Sequence, residues 1–298
     1  MFQIISDGGC DFSTKEVKKH NIDIVPFYIS FDGSTYLKEG TEIVKEDYFK
    51  RLSTEKNLFP KTAQPNPYDY IEACTPHLKN GKDILILTIS SKLSGSNNSA
   101  MIAKETLKED FVGRKIIVID SLSASIAQGL ILREIIKMRN AGYSLEKTEK
   151  IAKEILKTTR AYITLDSLEY ARRGGRIGPT TALVGNILKL RPILHLQDGR
   201  VEQLDNVRGK KNAIKLIEEA MVETLKDEVN NINLSIGHIL SETDATSFKA
   251  KTEAALSIKI ENPITEVGAT IGTHAGPGAL VLSYCRKYET FKSLGGNM

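Results

Sequence analysis

Four short segments carry the residue types that chemistry needs. Ser90-Ser91-Lys92-Leu93-Ser94-Gly95-Ser96 follows an apolar run, Ile84 to Ile89, and leads into a helical pattern. In a parallel α/β sheet this is the crevice where ligands bind, with the N–H groups of the next helix pointing at it. Ser94 or Ser96 supplies a hydroxyl and Gly95 permits close backbone approach, which suits a small anion. The same serines would serve as helix caps, and both readings are open. Lys61-Thr62-Ala63-Gln64-Pro65-Asn66-Pro67 reads as a loop stiffened by two prolines. Thr62 is either a second positioned hydroxyl or part of a plain turn capped by Asn66. In Gly272-Thr273-His274-Ala275-Gly276-Pro277-Gly278, three glycines surround one histidine. Such density signals unusual backbone angles or a close ligand, and the histidine could donate to an anion, move a proton or be structural. Arg172-Arg173-Gly174-Gly175-Arg176 is a basic glycine loop. It fits a phosphate, an acidic partner or a solvated face.

Enzyme signatures are missing around these segments. The glycine positions flanking Ser94 in a hydrolase elbow hold Lys92 and Ser96. No P-loop occurs, Val281 stands where a dinucleotide fingerprint needs its third glycine, and no H-E-x-x-H or Cys/His cluster is present. Asp7 and Asp11 near the end of the first strand are a weak pair for a cation, and Asp11 could equally cap a helix.

The elements that must carry these residues alternate in the first half. Apolar runs at Phe2 to Ser6, Ile84 to Ile89 and Lys115 to Asp120 are separated by helical patterns, the longest at Ser123 to Met138. This order predicts a mainly parallel sheet with helices on both faces. The second half reads differently. Pro192 to Leu196 and Arg200 to Leu204 flank Asp198-Gly199, a hairpin signal. A strand is expected at Leu234 to Leu240, another at Ile264 to Ile271, and a final helix at Pro277 to Tyr288. The expectation is an α/β protein of two domains, residues 1–160 and 161–298. The first carries the Thr62 and Ser94 loops. The second has a mixed sheet and carries the Arg172–Arg176 loop and His274.

Composition narrows the function classes. The 298 residues hold 41 Lys plus Arg against 37 Asp plus Glu, a net charge of +4. This excess is too small and too dispersed for a nucleic-acid binder. Three cysteines, Cys10, Cys74 and Cys285, stand far apart, which suggests a reducing compartment rather than a disulfide framework. No apolar run approaches the ~20 residues of a membrane span. The N-terminus lacks the pattern of a secretory signal, so a cytoplasmic location is expected.

Taken in order, the segments resemble the DegV family of bacterial fatty-acid-binding proteins. The matching pieces are Ile5-Ser6-Asp7 through Cys10-Asp11-Phe12, Thr62 to Pro67, Ser90 to Ser96, Leu168 to Ile177, and Gly272 to Leu280. The resemblance implies a two-domain α/β fold holding a long-chain fatty acid such as hexadecanoate, with no other cofactor and no metal. It implies that Thr62 and Ser94 hold the carboxylate, with Gly95 and His274 beside them. It further implies that the chain is not an enzyme. It would present the acid to the catalytic subunit of a fatty acid kinase, which makes an acyl phosphate for phospholipid metabolism. Arg172, Arg173 and Arg176 would be the docking residues, and transient membrane contact fits the same role. Two positions depart from the family pattern: Gly8-Gly9 replaces a Ser-Thr pair, and Val281 replaces a glycine. From the residues alone an alternative stands, an enzyme acting on a small carboxylate or phosphate in the interdomain cleft with His274 as acid/base. An interaction protein using the arginine loop is a third.

Overall fold

In a computed structural model, described for residues 1–55, 57–177 and 190–295, the chain forms three sheets. The first contains β1 (Gln3–Asp7), β2 (Asp23–Val25), β6 (Ile84–Thr88) and β7 (Ile116–Asp120) in the order β2-β1-β6-β7, all parallel. Strand β6 is apolar without alternation because both of its faces are covered. Ile84 and Ile86 pack with Tyr70, Leu78 and Leu107 of α3 (Pro67–Lys79) and α4 (Ser96–Asp110). Leu85 and Leu87 pack on the opposite face with Leu130, Ile131 and Ile151 of α5 (Ser125–Asn140) and α6 (Leu145–Thr158). The remaining helices of this half are α1 (Thr14–His20) and α2 (Lys45–Thr54).

A small antiparallel sheet was not legible in the sequence. It has the order β4 (Leu37–Lys38), β3 (Tyr28–Ser30), β5 (Lys61–Ala63). Pro26 divides the run Ile22 to Phe31, leaving β2 in the first sheet and β3 in this one. Thr62 therefore lies on a short strand opposite Ile29, not in a loop. A three-residue strand shows too little alternation to be recognised, and here its partner strand defines it.

The second half is a six-stranded mixed sheet, ordered β10-β9-β8-β13-β11-β12. It comprises β8 (Arg160–Thr164), β9 (Leu190–Gln197), β10 (Arg200–Arg208), β11 (Ile232–His238), β12 (Thr265–Glu266) and β13 (Leu280–Arg286). The β9–β10 hairpin turns on Asp198 and Gly199, both at positive φ, as the Asp-Gly signal predicts. Helices α8 (Lys210–Leu225) and α9 (Glu242–Leu256) cover one face, and α5 lies against the other. Helix α5 is thus buried between two sheets. A Cβ on Gly129 would stand 2.7 Å from the Cys10 carbonyl, and one on Gly237 would stand 3.1 Å from Ile126.

The C-terminal assignments need correction. Ile264 to Ile271 is not a strand: β12 is two residues long and α10 (Ala269–Ala275) begins inside that range. Pro277 to Tyr288 is not a helix, because Leu280–Arg286 forms β13, paired antiparallel with β8 and β11. Gly276 and Gly278, both at positive φ around Pro277, stop α10 and reverse the chain. The run Leu280 to Cys285 is buried throughout. A segment apolar on every side looks alike as strand or buried helix, and only its neighbours decide. The Arg172–Arg176 segment is only partly a loop: Arg172 and Arg173 sit on the last turn of α7 (Glu169–Arg173), and only Arg176 is in the loop that follows.

Candidate functional site

A cavity of about 330 Å³, partly open to solvent, lies between the first and second halves. Its apolar wall comes from the inner face of the mixed sheet: Ala161 and Ile163 of β8, Leu194 and Leu196 of β9, Val201 of β10 and Val281 of β13. Residues spaced by two share a face of a strand, so one sheet supplies a continuous greasy surface. Phe27, Ile89 and Leu93 close it from the other half. Val281, where the family pattern has glycine, belongs to this wall and is 5% exposed.

The polar groups of the cavity gather where four elements meet. Thr62 and Gln64, two residues apart at β5, both line it. His274 stands on the last turn of α10, not in a loop, and its Nε2 is 2.8 Å from Thr62 Oγ1. Ser94 comes from the turn before α4, and Arg176 from the loop after α7. Thus Thr62, Ser94 and His274, separated by up to 212 positions, border one cavity. Gly95 is the N-cap of α4, and its bare Cα is the place where the Gln64 carboxamide lies; a Cβ there would collide with it. Gln64 also donates to Ser99 Oγ at 3.4 Å. Its role was not anticipated. The signal was its spacing of two from Thr62.

Desolvation, reinforced by the neighbouring Arg176 guanidinium, pushes the His274 imidazole down to about 4. The ring is therefore neutral at pH 7. Its Nδ1 is buried without a hydrogen-bond partner and faces Gly174, where any Cβ would overlap it. If Thr62 donated to Nε2, the proton on Nδ1 would be a buried donor with no acceptor. The other tautomer avoids this: Nε2–H donates to Thr62 Oγ1, and the threonine proton is directed elsewhere. Ser94 Oγ accepts from the Ser96 N–H at 3.2 Å, which leaves its own proton to donate. Two hydroxyls with free protons at the end of an apolar cavity form a receptor for an acceptor-only group such as a carboxylate.

Ser96, the other serine of the motif, faces inward. It donates to Asp7 Oδ2 at 2.7 Å, and it lies 2.7 Å from the Tyr70 hydroxyl. Asp7 also accepts from Ile89 N–H, Gly9 N–H and the Gln128 carboxamide. Burial pushes its carboxyl up from the ordinary range, while these donors oppose the shift. The space at the β1/β6 crevice is thus filled by the protein's own carboxylate, while Ser94 lies on the lining of the cavity. Both Asp7 carboxylate oxygens are occupied by these donors. Among the described residues no group of three or more His, Cys, Asp or Glu could hold a metal ion.

The three arginines have different surroundings. Arg176 donates to the Leu93 carbonyl at 3.2 Å and to the Gly174 carbonyl at 2.6 Å, tying the loop to the Ser94 turn. Arg173 pairs with Glu169 and lies over the Phe59 ring, 3.7 Å from its centroid. The Arg172 side chain is exposed and makes no hydrogen bond or ion pair among the described residues.

Fold and cavity together define an α/β protein with a mainly apolar cavity and a small cluster of hydroxyl donors at one end. The chain belongs to the DegV family: residues 1–287 match the family model described as uncharacterised protein, DegV family COG1307. A DegV domain-containing protein of Caldanaerobacter subterraneus subsp. tengcongensis is 34% identical over 281 residues, covering 93% of this chain and 95% of the relative. Among solved structures, a stearic acid-binding protein from Eubacterium ventriosum superposes with a TM-score of 0.93 at 29% identity, over 97% of this chain and 100% of that one. A fatty acid-binding DegV family protein from Thermus thermophilus superposes at 0.86 with 27% identity, over 96% and 99% of the two chains. The mixed α/β architecture expected from the sequence is the architecture of these proteins. Among the described residues, no helix is long and apolar enough to cross a membrane.

Proposed function

We propose that this chain binds one long-chain fatty acid and presents its carboxylate to a partner kinase. The observation that carries the reading is the Thr62–His274 pair beside Ser94 at the polar end of the apolar cavity. The acyl chain would lie along the mixed sheet. Burying ~14 methylenes at ~0.8 kcal/mol each offers roughly 11 kcal/mol before ordering costs. Head-group bonds then need only fix orientation. The protons of Thr62 and Ser94 would point at the carboxylate, with the N-terminal turn of α4 at Gly95 beside them. Arg176 is held by two backbone carbonyls. It would leave the carboxylate nucleophilic rather than neutralise it in a tight ion pair.

The chain itself would carry no chemistry. ATP and its metal would come with a kinase catalytic subunit, and the product would be an acyl phosphate. Arg172, Arg173 and Arg176 would form the docking edge, Arg172 being the one free to make a new ion pair. In this reading residues 1–160 and 161–298 are the two domains, the site lies between them, and the protein works in the cytoplasm with transient membrane contact.

The test is lipid extraction and mass spectrometry of protein purified from a bacterial host. A long-chain fatty acid at about one per chain is expected. Folded, delipidated protein that ignores every fatty acid offered would sink the reading.

A further inference from the structure

One helical turn before His274, two partly buried carboxylates converge on the start of α10. Asp11, held at φ 54, accepts from Gly268 N–H at 2.9 Å and from Ser125 Oγ at 2.5 Å. Glu39 accepts from Ala269 N–H at 2.6 Å and from Thr270 Oγ1 at 2.5 Å. A Cβ at Gly268 would stand 2.9 Å from an oxygen of each, so the two carboxylates are close neighbours across that glycine. They come from different elements and clasp residues of both halves of the protein. Ser125 and Thr270 line the ligand cavity, and Thr270 shares a helix face with His274.

Neither carboxylate has a cation within 4 Å among the described residues. Lys45 is the positive charge that faces them, and its ammonium is engaged 3.0 Å from Glu266. His238 lies beyond, facing Glu266, Glu242 and Lys45. Cys10, the preceding residue, faces both Asp11 and Asp7, and burial above all pushes its thiol up to about 12. Tyr48 faces Glu39, its hydroxyl pushed beyond its ordinary range mainly by burial. Two desolvated carboxylates this close, with one distant cation, do not both ionise readily.

We propose that Asp11 and Glu39 share a proton near neutral pH and act as positioning residues that hold α10, and through it His274, in register with Thr62. Burial is the leading cause that pushes the Asp11 carboxyl up, to about 7, and the Glu39 charge adds to it. Glu39 is raised as well, again mainly by burial. The functional consequence rests on the fatty-acid reading. A bound carboxylate adds a third negative charge close to the pair, which favours the protonated form. Fatty-acid binding should therefore take up a proton, and affinity should weaken as pH rises through neutrality.

The first arm of the test needs no ligand. Delipidated protein labelled with ¹³C at the aspartate carboxyl is titrated by NMR from pH 5 to 8.5. One aspartate should titrate between pH 6 and 8, be absent in Asp11→Asn, and move to lower pH in Glu39→Gln. Thermal unfolding should show the linked trend: stability from Asp11 is fully present below pH ~4 and falls as pH rises to about 7, a slope missing in Asp11→Asn. The second arm titrates hexadecanoate. The dissociation constant should rise several-fold from pH 6 to 8 in wild type and change less in Asp11→Asn. The ratio between variants removes the ionisation of the free acid. No aspartate titrating above pH 5.5, or a Glu39→Gln protein whose high-pH aspartate titration is unmoved, would overturn the proposal, and the second criterion does not depend on the folding of Asp11→Asn. Failure of hexadecanoate to bind at all would remove the fatty-acid reading and leave the first arm standing.

Discussion

The tautomer argument for His274 gives a prediction sharper than loss of binding on truncation. At pH 7 an imidazole with its titration point about 4 is almost wholly neutral, so it acts as a fixed donor and not as a charge. Its Nε2–H orients the Thr62 hydroxyl, whose proton then meets the ligand. His274→Ala removes that donor and frees the threonine to rotate. Losing one oriented hydrogen bond to a charged group costs about 1.5–3 kcal/mol, or roughly a tenfold to hundredfold weaker fatty-acid affinity. His274→Gln can place an amide N–H near Nε2 and should recover most of the loss, whereas His274→Asn is too short. Thr62→Val should match His274→Ala, and the double variant should be little worse than either single one, because both break the same relay. The assay is fluorescence or calorimetric titration of delipidated variants at constant ionic strength. The pH profile provides a second check. The depressed titration point means that His274 contributes stability above pH ~6.5 that is lost as pH falls toward about 4. Wild type should therefore be more acid-sensitive in that window than His274→Gln. Additive losses in the double variant, or full affinity in His274→Ala, would refute the relay.

Two further outcomes follow from the same geometry. Gly174→Ala and Gly95→Ala each place a methyl where a site side chain now lies, His274 in one case and Gln64 in the other. Gly174→Ala should weaken fatty-acid binding about as much as His274→Ala while the protein still melts cooperatively; Gly95→Ala should have the smaller effect, since the exposed Gln64 can swing away. Arg172→Ala should slow acyl-phosphate production with a kinase, most at low salt, and leave lipid affinity unchanged, and ATP turnover by the chain alone would promote the enzyme alternative.

What the sequence made legible was local chemistry, and what it concealed was the packing that assembles it. The first sheet was readable because Ile84 to Thr88 and Ile116 to Asp120 are continuous apolar runs bounded by turns, and length settles such runs as strands. Leu280 to Cys285 has the same character, yet Gly276-Pro277-Gly278 before it reads equally well as a helix start. Only the partners Ile163 and Leu234 in the neighbouring strands make it β13. The same limit applies to the site. Thr62 and His274 could be singled out by their glycine and proline settings, but nothing in either segment fixes their distance. That distance comes from β5 pairing with β3, and from Glu39 and Asp11 seizing the first N–H groups of α10. Asp11 lay in a recognisable motif and Glu39 in none. Their meeting across Gly268 is a tertiary fact, and it is also what orients the helix that carries His274. The residues that touch a ligand were therefore visible before the residues that aim them.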